Sequence, residues 1–131
     1  MSVARQLVSF AIQAGSSDIH LEEGSQIAIR VNSDIRILDN VLTTQDMDQL
    51  LQELLEPDKQ QFFQQHHDLD TSIGLEGLSR IRINAYFANE RRCLTLRILP
   101  DELPKWQNLG LPQPFIDLSN KHRGMVLCTG P

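Results

Sequence analysis

The sequence predicts an α+β fold: an antiparallel or mixed sheet with helices packed on one side, followed by a linker and the opening elements of a second domain. Three observations predict it. Helical and strand periodicities follow one another in the order α, β, β, α, α, β, β, β, with short turns between successive strands. Most of the strand stretches carry apolar residues at every second position, so each offers one face to a core and one to solvent. Four prolines, Pro100, Pro104, Pro112 and Pro114, then interrupt the pattern. The boundaries that follow are an N-terminal domain over 1–100, a linker over 101–114 and the start of another domain over 115–131.

Val3, Leu7, Phe10 and Ala14 recur at helical spacing, and Gly15 stands where a C-terminal cap belongs. A first helix is expected over about Ser2 to Ala14. In the stretch Ser16 to Glu22, Ile19 and Leu21 alternate with Asp18, His20 and Glu22, the pattern of a strand with one polar face. Ile27, Ile29 and Val31, then Ile35 and Ile37, alternate around the turn chemistry of Asn32-Ser33-Asp34. A three-residue loop pairs Val31 with Ile35 and Ile29 with Ile37, whereas a two-residue loop sets Ile29 against Arg36; matching apolar faces selects the longer loop. Thr43 or Thr44 can cap a helix whose Met47, Leu50, Leu51, Leu54 and Leu55 form an apolar stripe. Pro57 ends it and opens another helix through about His66. Leu69, Thr71, Ile73 and Leu75 alternate, Gly74 to Gly77 supplies a turn, and Arg80 to Phe87 and Arg91 to Leu99 are two further strands. Beyond the prolines, a short helix is expected from Pro114 to about Asn120 and a short buried strand from Met125 to Cys128.

Composition narrows the function. With 131 residues, 40% apolar and 22% charged, the chain has globular values, which set aside collagen, disordered-tail and coiled-coil readings. Twelve Lys and Arg against 17 Asp and Glu leave a net charge of -5, so bulk attraction to nucleic acid or an anionic membrane is excluded and any anion site must be local. Cys93 and Cys128 lie in apolar stretches without CxxC spacing and read as buried thiols in a reducing compartment. No apolar run approaches the roughly 18 residues of a membrane span, and Gln6, Ser9 and Gln13 interrupt any signal-peptide apolar region. A cytoplasmic protein is expected.

The last hairpin is the most informative stretch for chemistry. With Asn89-Glu90 as a two-residue turn, Ile81 faces Ile98, Ile83 faces Leu96 and Ala85 faces Leu94, which makes one face wholly apolar. On the other face Arg82 opposes Arg97. Like charges directly opposed across strands are destabilising, so the placement has a cause: either carboxylates such as Asp68 or Asp70 neutralise the pair, or solvent does, or the guanidinium forks bind an anion such as phosphate. Asp18-x-His20 puts two metal-ligand types on one strand face, but a site needs three or four, and a strand with a solvated or interfacial face accounts for the pattern. His66-His67 reads as a solvated helix end. No Ser-His-Asp order or convergent carboxylate pair can be argued from spacing. At the terminus, apolar Met125-Val126-Leu127-Cys128 before Thr129-Gly130-Pro131 is how a strand approaches a P-loop, and Gly130 would be the first residue of G-x-x-x-x-G-K-[ST].

Six stretches occur in an order that resembles the N-terminal part of the type IV pilus retraction ATPases, the motors of twitching motility, within the type II and type IV secretion ATPase superfamily. They are AGSSDIHL at 14–21, IRVNSDIR at 29–36, RIRINA at 80–85, LRILP at 96–100, LGLP at 109–112 and RGMVLCTGP at 123–131. The resemblance implies a PAS-like N-terminal domain over 1–100 and a RecA-like ATPase domain beginning near 115, in a cytoplasmic homo-hexamer at the inner face of the inner membrane, reached through a pilus inner-membrane platform protein. It implies ATP and Mg2+ as cofactors, no nucleic acid, and arginines of the N-terminal domain that contact ATP held by the C-terminal domain. Arg82 and Arg97 match those arginines. Arg91 is the nearest candidate for a further arginine near the hairpin tip, although Glu90 occupies its usual place. The catalytic glutamate, Walker lysine and Walker B residues do not occur in these 131 residues, so this stretch alone is expected to be inactive. The alternatives are the motor of a type II, type IV or conjugative secretion system and a stand-alone PAS-like module that binds a ligand or partner.

Overall fold

The computed structural model describes residues 2–100 and 105–130. The chain divides into two compact units, Met1–Asp101 and Glu102–Pro131. The first four positions of the expected linker, 101–104, lie outside the described residues, as does Pro131.

In the first unit the elements are α1 (Val3–Gln13), β1 (Ser16–Glu22), β2 (Gln26–Val31), β3 (Asp34–Val41), α2 (Thr44–Leu54), α3 (Pro57–His66), β4 (Asp68–Leu75), β5 (Ser79–Ala88) and β6 (Arg91–Leu99). They form one six-stranded sheet of order β3-β2-β1-β6-β5-β4, and every neighbouring pair is antiparallel. Two meanders, β1-β2-β3 and β4-β5-β6, are therefore joined edge to edge by the β1–β6 pair. The pair brings Asp18 opposite Arg97, which turn-by-turn reading cannot show.

Local chemistry explains the element ends. Ser2 accepts the Arg5 amide at the start of α1, and Gly15, at φ +69°, follows its end in the left-handed conformation that releases the chain into β1. Thr43 and Asp46 form a reciprocal capping box at α2, while Pro57 occupies the first turn of α3. Glu53 of α2 accepts the Val3 and Ala4 amides at 3.2 and 2.7 Å, so a carboxylate of one helix satisfies the orphan donors of another. Arg92 of β6 forks onto Glu23 at 2.8 and 3.1 Å and reaches Asp48 of α2, which ties the β1–β2 turn, the sheet centre and a helix together.

One face of the sheet is the core. Ile19, Leu21, Ile29, Ile81, Ile83, Leu94 and Leu96 are buried with Ala4, Val8 and Ala11 of α1, Met47, Leu50 and Leu54 of α2, and Phe63 of α3. Each large aliphatic side chain so removed from water contributes about 1.5–3 kcal/mol. The alternation predicted for β5 and β6 is the observed one.

The β2–β3 loop differs from expectation. Val31 pairs with Asp34 and Ile29 with Arg36, so the turn is Asn32-Ser33 alone, with φ of 51° and 73°. Two positive φ values make a mirror-image turn whose twist matches the strands. Apolar matching does not set this register because β3 is an edge strand: Ile35 and Ile37 stay 49% and 66% exposed, so burial favours neither register and turn geometry decides.

The second unit holds a short 3-10 helix at Trp106–Leu109 and α4 at Gln113–Ser119. The buried strand expected at Met125 to Cys128 is absent. This stretch is irregular, Met125 and Leu127 are 81% and 77% exposed, and Cys128 is exposed while Cys93 is buried. Four apolar residues cannot make a strand without a neighbour for their N–H and C=O groups, and among the described residues none pairs with them.

Candidate functional site

The β5–β6 hairpin turns at Asn89-Glu90, with φ of 49° and 64°, and its register is the one the sequence implies: Ile81 opposite Ile98, Ile83 opposite Leu96, Arg82 opposite Arg97. Opposed residues share a face, so both arginines stand on the side of the sheet away from the helices. Tertiary pairing extends this line. Asp18 of β1 lies opposite Arg97, Arg30 of β2 lies opposite Asp18, and Ser72 of β4 lies opposite Arg82. Arg30, Asp18, Arg97, Arg82 and Ser72 thus form one transverse row across five strands.

Asp18 is 4% exposed and is the anchor of the row. Its Oδ1 accepts Nε–H of Arg97 at 2.8 Å, its Oδ2 accepts the Ser17 hydroxyl at 2.8 Å, and Nε of Arg30 lies 3.5 Å from Oδ2. Burial pushes the Asp18 carboxyl up, but the hydrogen bonds from Arg97 and Ser17 outweigh it and hold the group below its ordinary value. Asp70, diagonal to Arg82, accepts Nε and Nη2 of that arginine at 3.0 and 2.6 Å, a side-on bidentate pair in solvent. Hydrogen bonding from Arg82 holds the Asp70 carboxyl below its ordinary value. Three guanidinium groups and two carboxylates leave one net positive charge in a chain of net charge -5. This is the local cationic patch that composition required of any anion site.

Carboxylates lie against both opposed arginines, Asp70 as anticipated and Asp18 unanticipated, and the forks are used unequally. Arg82 spends its Nε–Nη2 edge on Asp70, while Arg97 spends Nε alone, and its Nη1 and Nη2 make no hydrogen bond among the described residues. Arg91 is not brought to the row. It lies six residues from Arg97 along β6, about 20 Å at the usual rise of a strand, and pairs with Glu22 at 3.2 Å. Gly130 lies exposed in the second unit, with open space where a Cβ would stand.

Sequence reasoning missed Asp18 and Arg30 as members of the row. The signal was present in the polar face of β1, but reading it needed the β1–β6 pairing. Asp18 and His20 hold no metal geometry: among the described residues no group of three or more His, Cys, Asp or Glu could bind an ion. His66 is at the exposed end of α3, its Nδ1 at 3.0 Å from the Phe62 carbonyl, and His67 turns the chain at φ 59°.

No protein-family model matches the chain. Over 127 residues it is 29% identical to the type IV pilus retraction ATPase PilT of Pseudomonas aeruginosa, which covers 96% of this chain and 37% of that protein. A crystal structure of the pilus retraction motor PilT with bound ADP superposes with a TM-score of 0.78 at 29% identity, over 92% of this chain and 36% of that one. The chain is homologous to the N-terminal part of pilus retraction ATPases. A twitching motility protein of Neisseria gonorrhoeae is 26% identical over 104 residues, covering 79% of this chain and 28% of that protein. The chain therefore spans between about a quarter and somewhat over a third of the length of these relatives. The match to PilT covers the α+β sheet domain. No helix among the described residues is long and apolar enough to cross a membrane.

Proposed function

We propose that this chain is the N-terminal domain of a hexameric motor ATPase that powers type IV pilus retraction, and that Arg97 and Arg82 contact the phosphates of ATP held by a RecA-like domain. The observation that carries the reading is the transverse row on the open sheet face. It places two guanidinium groups side by side, with the Nη edge of Arg97 unspent. Its counterpart in homology is a retraction motor solved with ADP.

The chemistry suits phosphoryl transfer. Charge builds on the oxygens around the γ-phosphorus in the transition state, and preorganised guanidinium groups stabilise it without reorienting during the step. Arginine serves better than lysine because its planar fork meets two oxygens at once. The row suits phosphate oxygens and not a metal ion, so Mg2+ would be held by groups other than these, and Gly130 would contribute only the first residue of the phosphate cradle. In this reading the assembly is cytoplasmic, works at the inner face of the inner membrane on a pilus platform protein, and binds no nucleic acid.

The test is ATP turnover by the full-length protein. Arg97→Ala lowers kcat by roughly 10³ to 10⁵, as loss of an arginine finger does, while the protein stays folded at the assay temperature even though the buried Asp18 loses a partner and the melting temperature falls. Arg97→Lys does not restore it, because an ammonium cannot reproduce the fork. An unchanged turnover number in Arg97→Ala would remove the arginine from the catalytic role.

A further inference from the structure

The two oxygens of Asp18 hold different groups. Oδ1 takes the Nε proton of Arg97, while Oδ2 takes the Ser17 hydroxyl and faces Nε of Arg30. The residue is fixed from its backbone as well, since the Ser16 hydroxyl donates to the Asp18 carbonyl at 2.8 Å. Arg30 is itself tied to the β2–β3 turn, where Nη1 donates to the Ser33 carbonyl at 3.4 Å. A carboxylate that only neutralised Arg97 would do so best with both oxygens on one edge, as Asp70 does with Arg82. Asp18 instead grips the guanidinium by one nitrogen and leaves the opposite edge unspent.

We propose that Asp18 is the positioning residue for Arg97: it holds the guanidinium by Nε and so aims the Nη1–Nη2 edge at a phosphoryl group presented to the open sheet face. The proposal rests on the reading of Arg97 as a phosphate-contacting residue. Arg97 reaches the row on a long side chain with one tether. Without Asp18 the charge remains but the orientation is lost, and misplacing a reacting group by about 1 Å can cost on the order of 10²-fold in rate. Attraction for the nucleotide does not fall, because removing one carboxylate leaves the row more positive. Positioning therefore predicts a loss in kcat without a rise in KM.

Steady-state ATP hydrolysis is measured for the full-length protein and its Asp18→Ala, Asp18→Asn, Arg97→Ala and doubly substituted Asp18→Ala/Arg97→Ala variants, with a melting temperature for each. Asp18→Ala is expected to lower kcat on the order of 10²-fold with KM for ATP unchanged or lower. Asp18→Asn, which keeps an acceptor oxygen for the Nε proton, recovers most of that loss. In the Arg97→Ala background Asp18→Ala costs nothing further, since its effect passes through Arg97. Wild-type kcat in Asp18→Ala, or a full additive loss in the double variant, would overturn the proposal. If Asp18→Ala melts below the assay temperature, Asp18→Asn decides, and a loss as large as that of Arg97→Ala overturns it. A fully active Arg97→Ala variant sinks the phosphate-contact reading and this proposal together, whereas an impaired Arg97→Ala beside an active Asp18→Ala sinks this proposal alone.

Discussion

Arg82 and Arg97 face each other across β5 and β6, yet Asp70 and Asp18 hold them with unequal force. The Asp70 pair is exposed on both sides, where solvent screens an ion pair and leaves it weak, so an incoming phosphate can displace it. Asp70→Ala should therefore lower KM for ATP in the full-length protein only slightly, by roughly a few-fold at most; a rise in KM would show that Asp70 itself helps to bind. Acid should act on other carboxylates. Hydrogen bonding from Arg92 and Thr44 brings Glu23 down to about 2, and Asp18 is also held low in the folded state. A depressed carboxyl contributes stability that is complete above its unfolded value and is lost as pH falls through its folded one. The melting temperature should thus be flat above about pH 5 and fall below it, with a shallower slope in Glu23→Gln. An equal slope in that variant would place the acid sensitivity elsewhere. Arg92→Ala, which strands Glu23, should cost about 1.5–3 kcal/mol in urea denaturation.

At the scale of elements, the two tight hairpins share one construction. Each has asparagine at the first turn position and a non-glycine residue at the second, Ser33 at φ 73° and Glu90 at φ 64°. Left-handed backbone costs a side-chain-bearing residue roughly 1–2 kcal/mol, and glycine avoids this at the expense of about 0.5–1 kcal/mol of unfolded-chain entropy. Ser33→Gly and Glu90→Gly should each stabilise the fold by about 0.5 kcal/mol, read as a rise in the urea midpoint at constant slope. A fall would mean that a side chain there earns more than its strain. The capping box at α2 should show the opposite sign, with Thr43→Ala costing about 0.5–2 kcal/mol.

At the scale of the whole molecule, these 131 residues by themselves are expected to bind nucleotide only weakly. Arginines on an open sheet face, already paired with carboxylates and screened by water, gain little from each phosphate contact. Calorimetric titration of this chain with ATP and Mg2+ should show no hydrolysis and no saturation at micromolar nucleotide. Saturable micromolar binding would put a complete nucleotide site within the chain and favour a stand-alone sensory module over a motor domain.

What the sequence determined by itself is everything set by neighbours along the chain. The 3.6-residue and two-residue periods, a threonine cap at Thr43 or Thr44, Pro57 in a first helical turn and the Asn89-Glu90 turn are legible because local backbone chemistry carries them, and the last of these places Arg82 against Arg97. Tertiary structure alone decided three matters. It joined β1 to β6, which made Asp18 the anchor of Arg97; strand order is set by burial of the whole apolar face and leaves no mark in any one strand. It put β3 at the edge, where apolar alternation is not rewarded and the Asn32-Ser33 turn chose the register. And among the described residues it offers Met125 to Cys128 no partner strand, and four apolar residues form a strand only where other backbone is waiting to pair with them.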